Sequence, residues 1–514
     1  MSILIAGSGP AGVFAALGAL EQGANVVMID PGRTLEDSAQ ARKAQMGAKH
    51  FSQWSDEEEA WLRNPVQPAG QRIIFGSDFS TRTSGAPRME GCQLFLSQAQ
   101  GGLSNAWGRG VEPPYAGEYD HWPCKEEFEQ AMAQALAHLP FCAAHDNLAR
   151  VMPLWHEAPG RNKVSAASRL LLRQWHRYAQ ALNQSGVYFG RSRILQRQGS
   201  IAARGCQFCG YCYYGCVYDA LYDSSHTLQM LTQRYASQFT YRSGVSLQQF
   251  RADNGGKVLA SIISHTPHSV SEETYDGVIL AAGSVFSTDI MMRSLSISHA
   301  QLQQSDLISY VFISLARKPR IATPHHALGQ LALTLKIPSL TSRAVAVHVF
   351  GQNRAISDKI LMILPTSLRR AAMYMLRPLL SRLYIGMCFV HSDDSTPITL
   401  SREAAGLVAR GYKGRAQKQL YWKLLWQFAR RVHVLRLLPV PFVGGLTLPG
   451  SSVHYGASAP MGGSGPLACD ANGQLRNAPG VFVADAASLP DIPAGSYTLS
   501  IMANALRIGR AAAG

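Results

Sequence analysis

Ile3-Leu4-Ile5-Ala6-Gly7-Ser8-Gly9-Pro10-Ala11-Gly12 reads as a buried strand that turns into a helix through a glycine loop. Such a loop lets backbone amides approach a pyrophosphate, and the helix N-terminus adds partial positive charge to hold it. The glycine spacing alone is weak evidence, because an ordinary turn in a parallel sheet can carry it. Its context is stronger. A helix is expected over Val13 to Gln22 and a second strand over Asn25 to Ile29, ending in Asp30, 18 residues past Gly12. An acidic side chain at that point can bind a ribose hydroxyl. The opening therefore predicts an adenine dinucleotide site.

The 514 residues are too many for one ordinary core, so a two-lobed molecule is expected. A composition of 46% hydrophobic and 16% charged residues is globular and excludes disorder. The net charge of +15 suits nucleic acid, an anionic membrane surface or an anionic substrate. No nucleic-acid module is recognisable, which leaves the latter two. Met1 runs straight into the first strand, and no uncharged apolar run reaches the roughly 18 residues a membrane span needs. The expected location is cytoplasmic, peripheral at the inner face of a membrane if the basic surface is used.

Residues 36–90 read as polar and irregular. A second glycine loop lies at Gly101-Gly102-Leu103-Ser104-Asn105-Ala106-Trp107-Gly108, and helical patterning follows at Lys125 to Leu139 and Ala166 to Ser185. Strands with a turn at Asn254-Gly255-Gly256 are expected over Tyr241 to Ser264, then a buried strand ending in glycine over Gly277 to Ser284. Short β-like runs such as Ala344 to Phe350 follow. Near the end come the strand Val481-Phe482-Val483-Ala484, Asp485, and a helix from Thr498 to Ala513.

Four separated segments together resemble the glucose–methanol–choline (GMC) flavoprotein oxidoreductases. They are the Gly7-to-Asp30 unit, the Gly101-Gly102-x-Ser104-Asn105 loop, Val278-Ile279-Leu280-Ala281-Ala282-Gly283, and a C-terminal group. That group comprises His454 to Gly462, Val483-Ala484-Asp485 and Ile501-Met502-Ala503. The resemblance implies an α/β, two-lobed fold. A Rossmann-like FAD-binding domain would be assembled from residues 1–135, 201–290 and 446–514, and a substrate domain with a β-sheet and helices from 136–200 and 291–445. It implies FAD and oxidation of a CH–OH group. Gly7, Gly9 and Gly12 would line the pyrophosphate and Asp30 would take the adenosine ribose. Gly101, Gly102, Ser104 and Asn105 would lie against the flavin, with Ala282, Gly283, Asp485 and Ala486 near its ribityl or pyrophosphate part. Val245 would meet the adenine through its backbone.

Alcohol oxidation removes a hydroxyl proton and moves a hydride from the same carbon to the flavin, so the protein must supply a base. Histidine suits this role because its unperturbed pKa, about 6.5, lies near working pH. His454 matches the family's active-site histidine. The family's second position, usually Asn or His, falls 11 residues after Asp485 and is Ser496 here, followed by Tyr497 where Pro is common. Both are expected in the pocket, with Tyr497 supplying a missing polar contact. The expected substrate is a small-molecule, sugar or lipid-linked alcohol.

Nine cysteines are present, four of them as Cys206-x2-Cys209-x2-Cys212-x3-Cys216. The spacing is that of a bacterial iron–sulfur run, although Val217 replaces the usual Pro. Four thiolates also suit zinc, and bare thiols or a disulfide remain open. A cluster beside the flavin would pass electrons to an external acceptor.

Two basic segments, Ile360 to Met387 and Gln419 to Leu438, mix arginines and lysines with large apolar side chains. Each suits either a helix packed on the core or one lying in an anionic membrane surface. Trp422, Leu425, Trp426 and Ala429 are expected on one helical face.

Overall fold

A computed structural model describes residues 1–514 apart from 64–72, 157–159, 254, 317–326, 352–364, 366–367, 369–370, 372–374 and 377. The first strand, Ser2–Ala6, is apolar and buried because it lies inside a five-stranded sheet. All neighbours in that sheet are parallel. Val481–Val483, Gly277–Leu280, Ser2–Ala6, Asn25–Asp30 and Phe239–Ser243 follow in that order. Parallel strands buried on both faces read as continuous apolar runs, as these do.

One face of the sheet is covered by the helices Pro10–Glu21 and Thr498–Ala513. They cross closely because each has a glycine at the contact. A Cβ on Gly18 would sit 2.2 Å from the Leu506 carbonyl oxygen, and one on Gly509 would sit 2.0 Å from that of Ala15. The first and last helices of the chain are thereby locked together. On the other face lies a three-stranded antiparallel sheet of Val245–Ala252, Val258–His265 and His268–Tyr275.

The second lobe is built on a six-stranded antiparallel sheet. Its order is Leu437–Leu446, Leu307–Ser314, Leu383–Val390, Val345–Phe350, Leu331–Leu335 and Val187–Arg191. Strand side chains alternate between faces, so sequence parity decides which face each serves. Ile308, Tyr310, Phe312, Val345, Val347, Val349, Tyr384 and Cys388 pack into one core with Trp175, Leu424 and Phe428 from the helices Ala166–Arg177 and Arg415–Ala429. The alternate residues His348, Phe350, Met387 and Phe389 face the first lobe.

Several expectations need correction. Residues 36–90 contain the helices Asp37–Gly47 and Asp56–Arg63. Each buries only one residue, Met46 or Leu62, and lacks a broad apolar stripe, the signal by which helices are read from sequence. The expected helix over Ala166 to Ser185 is broken at Tyr178 into Ala166–Arg177 and Ala179–Gln184. Asn254, in the expected turn, and 13 of the 28 residues of the basic segment Ile360 to Met387 lie outside the described residues, but the end of that segment opens the strand Leu383–Val390. In the helix Arg415–Ala429, Leu425 is half-buried against the core, while Trp422, Trp426 and Ala429 are exposed. No described helix is long and apolar enough to cross a membrane.

Candidate active site

A cavity of about 740 Å³ runs from the carboxyl ends of the parallel strands to the facing side of the six-stranded sheet. That volume is typical of a small-molecule or cofactor site, and the carboxyl end of a parallel sheet is where nucleotides bind. Gly7, Gly9, Asp30, Gly102, Ser104, Ala282, Gly283, Asp485 and Ala486 all line it. So do His454, Ser496 and Tyr497.

At the nucleotide end, Gly7 adopts φ +112° and a Cβ there would lie 2.3 Å from the Ala281 carbonyl oxygen, so only glycine fits. A Cβ on Gly12 would lie 1.9 Å from the Gly7 carbonyl oxygen, so Gly12 keeps the turn tight. Gly9 faces open space at the uncapped N-terminus of Pro10–Glu21. Ser8 ties the two glycine loops together. Its hydroxyl donates to Asp30 Oδ2 at 2.7 Å and accepts from the Gly101 amide at 2.9 Å. Ser104 Oγ donates to the Gly101 carbonyl and accepts from the Ser224 amide, and Asn105 Nδ2 braces the carbonyls of Gln100 and Gly102.

Asp30 Oδ2 also accepts from the Ser8 amide, whereas buried Oδ1 has no aligned hydrogen-bond partner. Burial raises the pKa of Asp30 to about 6, against the lowering effect of the Ser8 hydrogen bonds. A buried carboxylate beside an open helix N-terminus fits a ribose hydroxyl next to a pyrophosphate. Gly12, Gly101, Asn105 and Val245 are not among the cavity residues, although Val245's neighbours Ser246, Leu247 and Gln248 are. Asp485 closes the other side. It accepts from Ser287 Oγ at 2.5 Å and from the Ala487 amide at 2.9 Å, and burial raises its pKa to about 6. These residues fit the FAD that the sequence resemblance implies.

His454 stands at the far end. Val453 before it adopts φ 64°, a rare conformation for a β-branched residue. The Tyr497 hydroxyl lies 3.2 Å from both the Val453 and the Tyr455 carbonyl oxygens and accepts from the Tyr455 amide at 3.2 Å. Tyr497 therefore clamps the backbone around His454. The Ser496 hydroxyl donates to the Gly110 carbonyl at 2.5 Å. The His454 ring stacks on Phe389 at 4.9 Å, and its Nδ1 is buried without a hydrogen-bond partner. Burial, then the charge of His348, lowers its pKa to about 3, with Glu112 opposing. His454 is thus held as a neutral imidazole, with its proton affinity reduced by burial.

Sequence reasoning missed Glu112 and His348. They form a buried ion pair with Nε2 and Oε1 2.9 Å apart, on the cavity wall beside Ser496 and Phe389. Burial favours their neutral forms, but mutual attraction outweighs it, so the Glu112 pKa falls below and the His348 pKa rises above its ordinary value. Glu112 Oε2 also accepts from the Ser496 amide at 3.3 Å. The available signal was one ionisable residue within the apolar run Val345-Ala346-Val347-His348-Val349-Phe350.

The four cysteines of the run do not line this cavity, although Tyr213 among them does. Cys206 and Cys209 pack against an apolar cluster containing Met46, Trp54 and Phe75, while Cys212 turns toward Leu221, Ala327 and Leu328. Among the described residues, no three His, Cys, Asp or Glu side chains form a group that could hold a metal ion. The expected iron–sulfur cluster on Cys206, Cys209, Cys212 and Cys216 therefore finds no support, and neither does zinc. Burial pushes the Cys206 thiol well up, with the neighbouring cysteines adding to the shift.

The family model described as GMC oxidoreductase matches residues 446–505. No curated protein matches the chain. Pyridoxine 4-oxidase from Mesorbium loti is similar in structure, with a TM-score of 0.62 at 14% identity, covering 99% of this chain and 98% of that one. A fungal aryl-alcohol oxidase has a TM-score of 0.56 at 13% identity, covering 100% and 98%. The resemblance carried by the four motifs is borne out: residues 446–505 match the GMC oxidoreductase family, and the whole chain shares its fold with these two oxidases.

Proposed function

We propose that this chain is an FAD-dependent oxidoreductase acting on CH–OH groups, with electrons leaving to an external acceptor. FAD, when bound, supplies the acceptor for the hydride. The observation that carries the reading is His454, a neutral buried imidazole on the same cavity as both glycine loops and Asp485. His454 takes the hydroxyl proton as the C–H hydride leaves. The hydroxyl bond electrons become the second bond of the product carbonyl. Such a base contributes about a hundred- to ten-thousand-fold in rate.

Negative charge develops on the substrate oxygen as its proton leaves. His348, whose pKa is raised by the neighbouring Glu112, would stabilise that charge when protonated. This supplies the polar function that Ser496, engaged with Gly110, does not. Tyr497 positions His454 and is not a substrate contact in this scheme.

The substrate is an alcohol with an apolar body. Phe350, Met387 and Phe389 line the cavity, and its arginines Arg193 and Arg293 are paired with Asp146 and Asp289. These pairings disfavour a phosphorylated sugar. The names of the two similar oxidases, which act on pyridoxine and aryl alcohols, agree with this class.

Anaerobic mixing with a panel of aryl and aliphatic alcohols tests the proposal through loss of flavin absorbance. The wild-type protein should bleach. His454→Ala should retain FAD and bleach at least about a hundredfold more slowly. Near-normal bleaching in that variant would remove His454 from the mechanism. No bleaching of the wild-type protein with any alcohol would remove the activity.

A further inference from the structure

The helix Arg415–Ala429 and the edge strand Leu437–Leu446 carry a surface that the proposed chemistry does not use. The inner face of the helix is buried in the second core through Leu420, Tyr421, Leu424 and Phe428. Its outer face exposes Trp422 at 50% and Trp426 at 64%. The strand adds a deformation. Val440 pairs with Val311 and Gly444 with Tyr310, so Pro441, Phe442 and Val443 bulge out of register. Phe442 sits at the crest with φ 64° and is 81% exposed. Its ring meets Trp422 edge-on at 5.8 Å. Leu438 and Val443 of the same strand and Leu448 just beyond it are also exposed. Clustered exposure of this kind marks an interaction surface, because soluble proteins rarely leave such patches uncovered.

Charge identifies the occupant. Between Glu403 and Asp470 the sequence has no Asp or Glu but has Arg410, Lys413, Arg415, Lys418, Lys423, Arg430, Arg431 and Arg436. Arg410 is taken up by Glu90 and Glu403, and Arg431 is buried on Gln427 and Ser185. Arg415, Lys418, Lys423, Arg430 and Arg436 are exposed around the aromatic residues. A second copy of the chain would set this basic patch against its own image, since two-fold interfaces are self-complementary. A bilayer of anionic lipid satisfies both parts. Indole and phenyl rings settle at the headgroup level, and lysines and arginines reach lipid phosphates.

We propose that this face docks the protein on an anionic membrane surface, with Phe442, Trp422 and Trp426 inserted and the surrounding cations on headgroups. The test is flotation of the FAD-loaded protein with phosphatidylcholine vesicles, with and without phosphatidylglycerol. The wild-type protein should float with the anionic vesicles, less so at high salt, and remain unbound with phosphatidylcholine alone. Phe442→Ser and Trp426→Ser should each weaken binding roughly tenfold. Lys418→Glu combined with Lys423→Glu should weaken it more than tenfold, at about fivefold or more per charge removed. All these positions are exposed, so flavin content and bleaching rate should be unchanged. Absence of flotation with anionic vesicles, or flotation indifferent to these substitutions, overturns the proposal. So does a dimer in solution that the same substitutions dissociate.

Discussion

Replacing His454 by Gln should alter how stability depends on pH, independently of catalysis. The imidazole has a pKa of about 3 in the folded protein, chiefly from burial, and about 6.5 when unfolded. Between those values the unfolded chain binds a proton that the folded chain refuses. The stability contribution is therefore complete above pH 6.5 and is lost as pH falls, by about 1.4 kcal/mol per pH unit. From pH 6.5 to 4.5 the loss is roughly 3 kcal/mol. An unfolding entropy of roughly 1.1 kcal/mol/K, from about 2.1 cal/mol/K per residue, makes that about 2–3 °C in Tm. Gln has no such proton, so its Tm should fall less by that amount over the same range. His348 contributes with the opposite sign, because its folded pKa is raised: its stabilisation is present at low pH and is lost as pH rises through that value. Being common to both proteins, it cancels in the difference. Thermal unfolding of the FAD-loaded wild type and His454→Gln from pH 7 to 4.5 measures the effect. Parallel curves would refute the burial of a neutral imidazole at this position.

Gly110→Ala adds a methyl group 3.6 Å from Ser496 Cβ and 3.7 Å from His348 Cε1, in ordinary contact. It should raise KM for the best alcohol by roughly tenfold while leaving the flavin spectrum unchanged. Asp30→Asn keeps an acceptor for Ser8 but removes the charge offered to the ribose. Reconstitution of the apoprotein should show FAD affinity lower by about tenfold. Glu112→Gln removes the charge that keeps His348 protonated against burial. The alkaline limb of the kcat profile should move to lower pH, and an unmoved limb would exclude His348 as the cation.

The nucleotide end was legible in the sequence because its determinants are local. Gly7, Gly9, Gly12 and Asp30 lie on one strand–turn–helix–strand unit, and the short motifs around Ala282 and Asp485 follow sheet strands in the same way. His454 was legible only through its neighbours Gly456, Ser458 and Met461. The substrate end was not. Glu112 lies in a loop and His348 on the strand Val345–Phe350, 236 positions apart, and only the facing of two lobes joins them. Sequence parity did carry their orientation. Once Val345, Val347 and Val349 are assigned to the core, His348 and Phe350 must point the other way. The polar helices of residues 36–90 were missed because solvated helices lack an apolar period. The cysteine spacing suggested a metal or cluster site, but Cys206 and Cys209 border one apolar cluster, Cys212 another and Cys216 both, and no metal-binding group forms among the described residues.

The departure at Ser496 and Tyr497 and the presence of the Glu112–His348 pair are best understood together. Ser496 bonds the Gly110 carbonyl through its hydroxyl and Glu112 through its amide, so it holds the strap that carries Glu112 against the C-terminal segment. Tyr497 holds the left-handed turn at Val453 from which His454 projects. Two positions expected to meet substrate line the cavity and also hold the backbone around it. A charged pair, Glu112 from a loop and His348 from the second-lobe strand, lines the cavity beside them. A cation so placed also acts on the base: it lowers the proton affinity of His454 at rest. It favours ionisation of a substrate hydroxyl by the same field. The two effects oppose each other in the proton transfer, and Glu112 sets their balance because it attracts a proton on His454 and neutralises His348. In the proposed scheme the alcohol would lie between groups fixed to separate lobes, so a change in the distance between those lobes should alter turnover before it alters flavin binding.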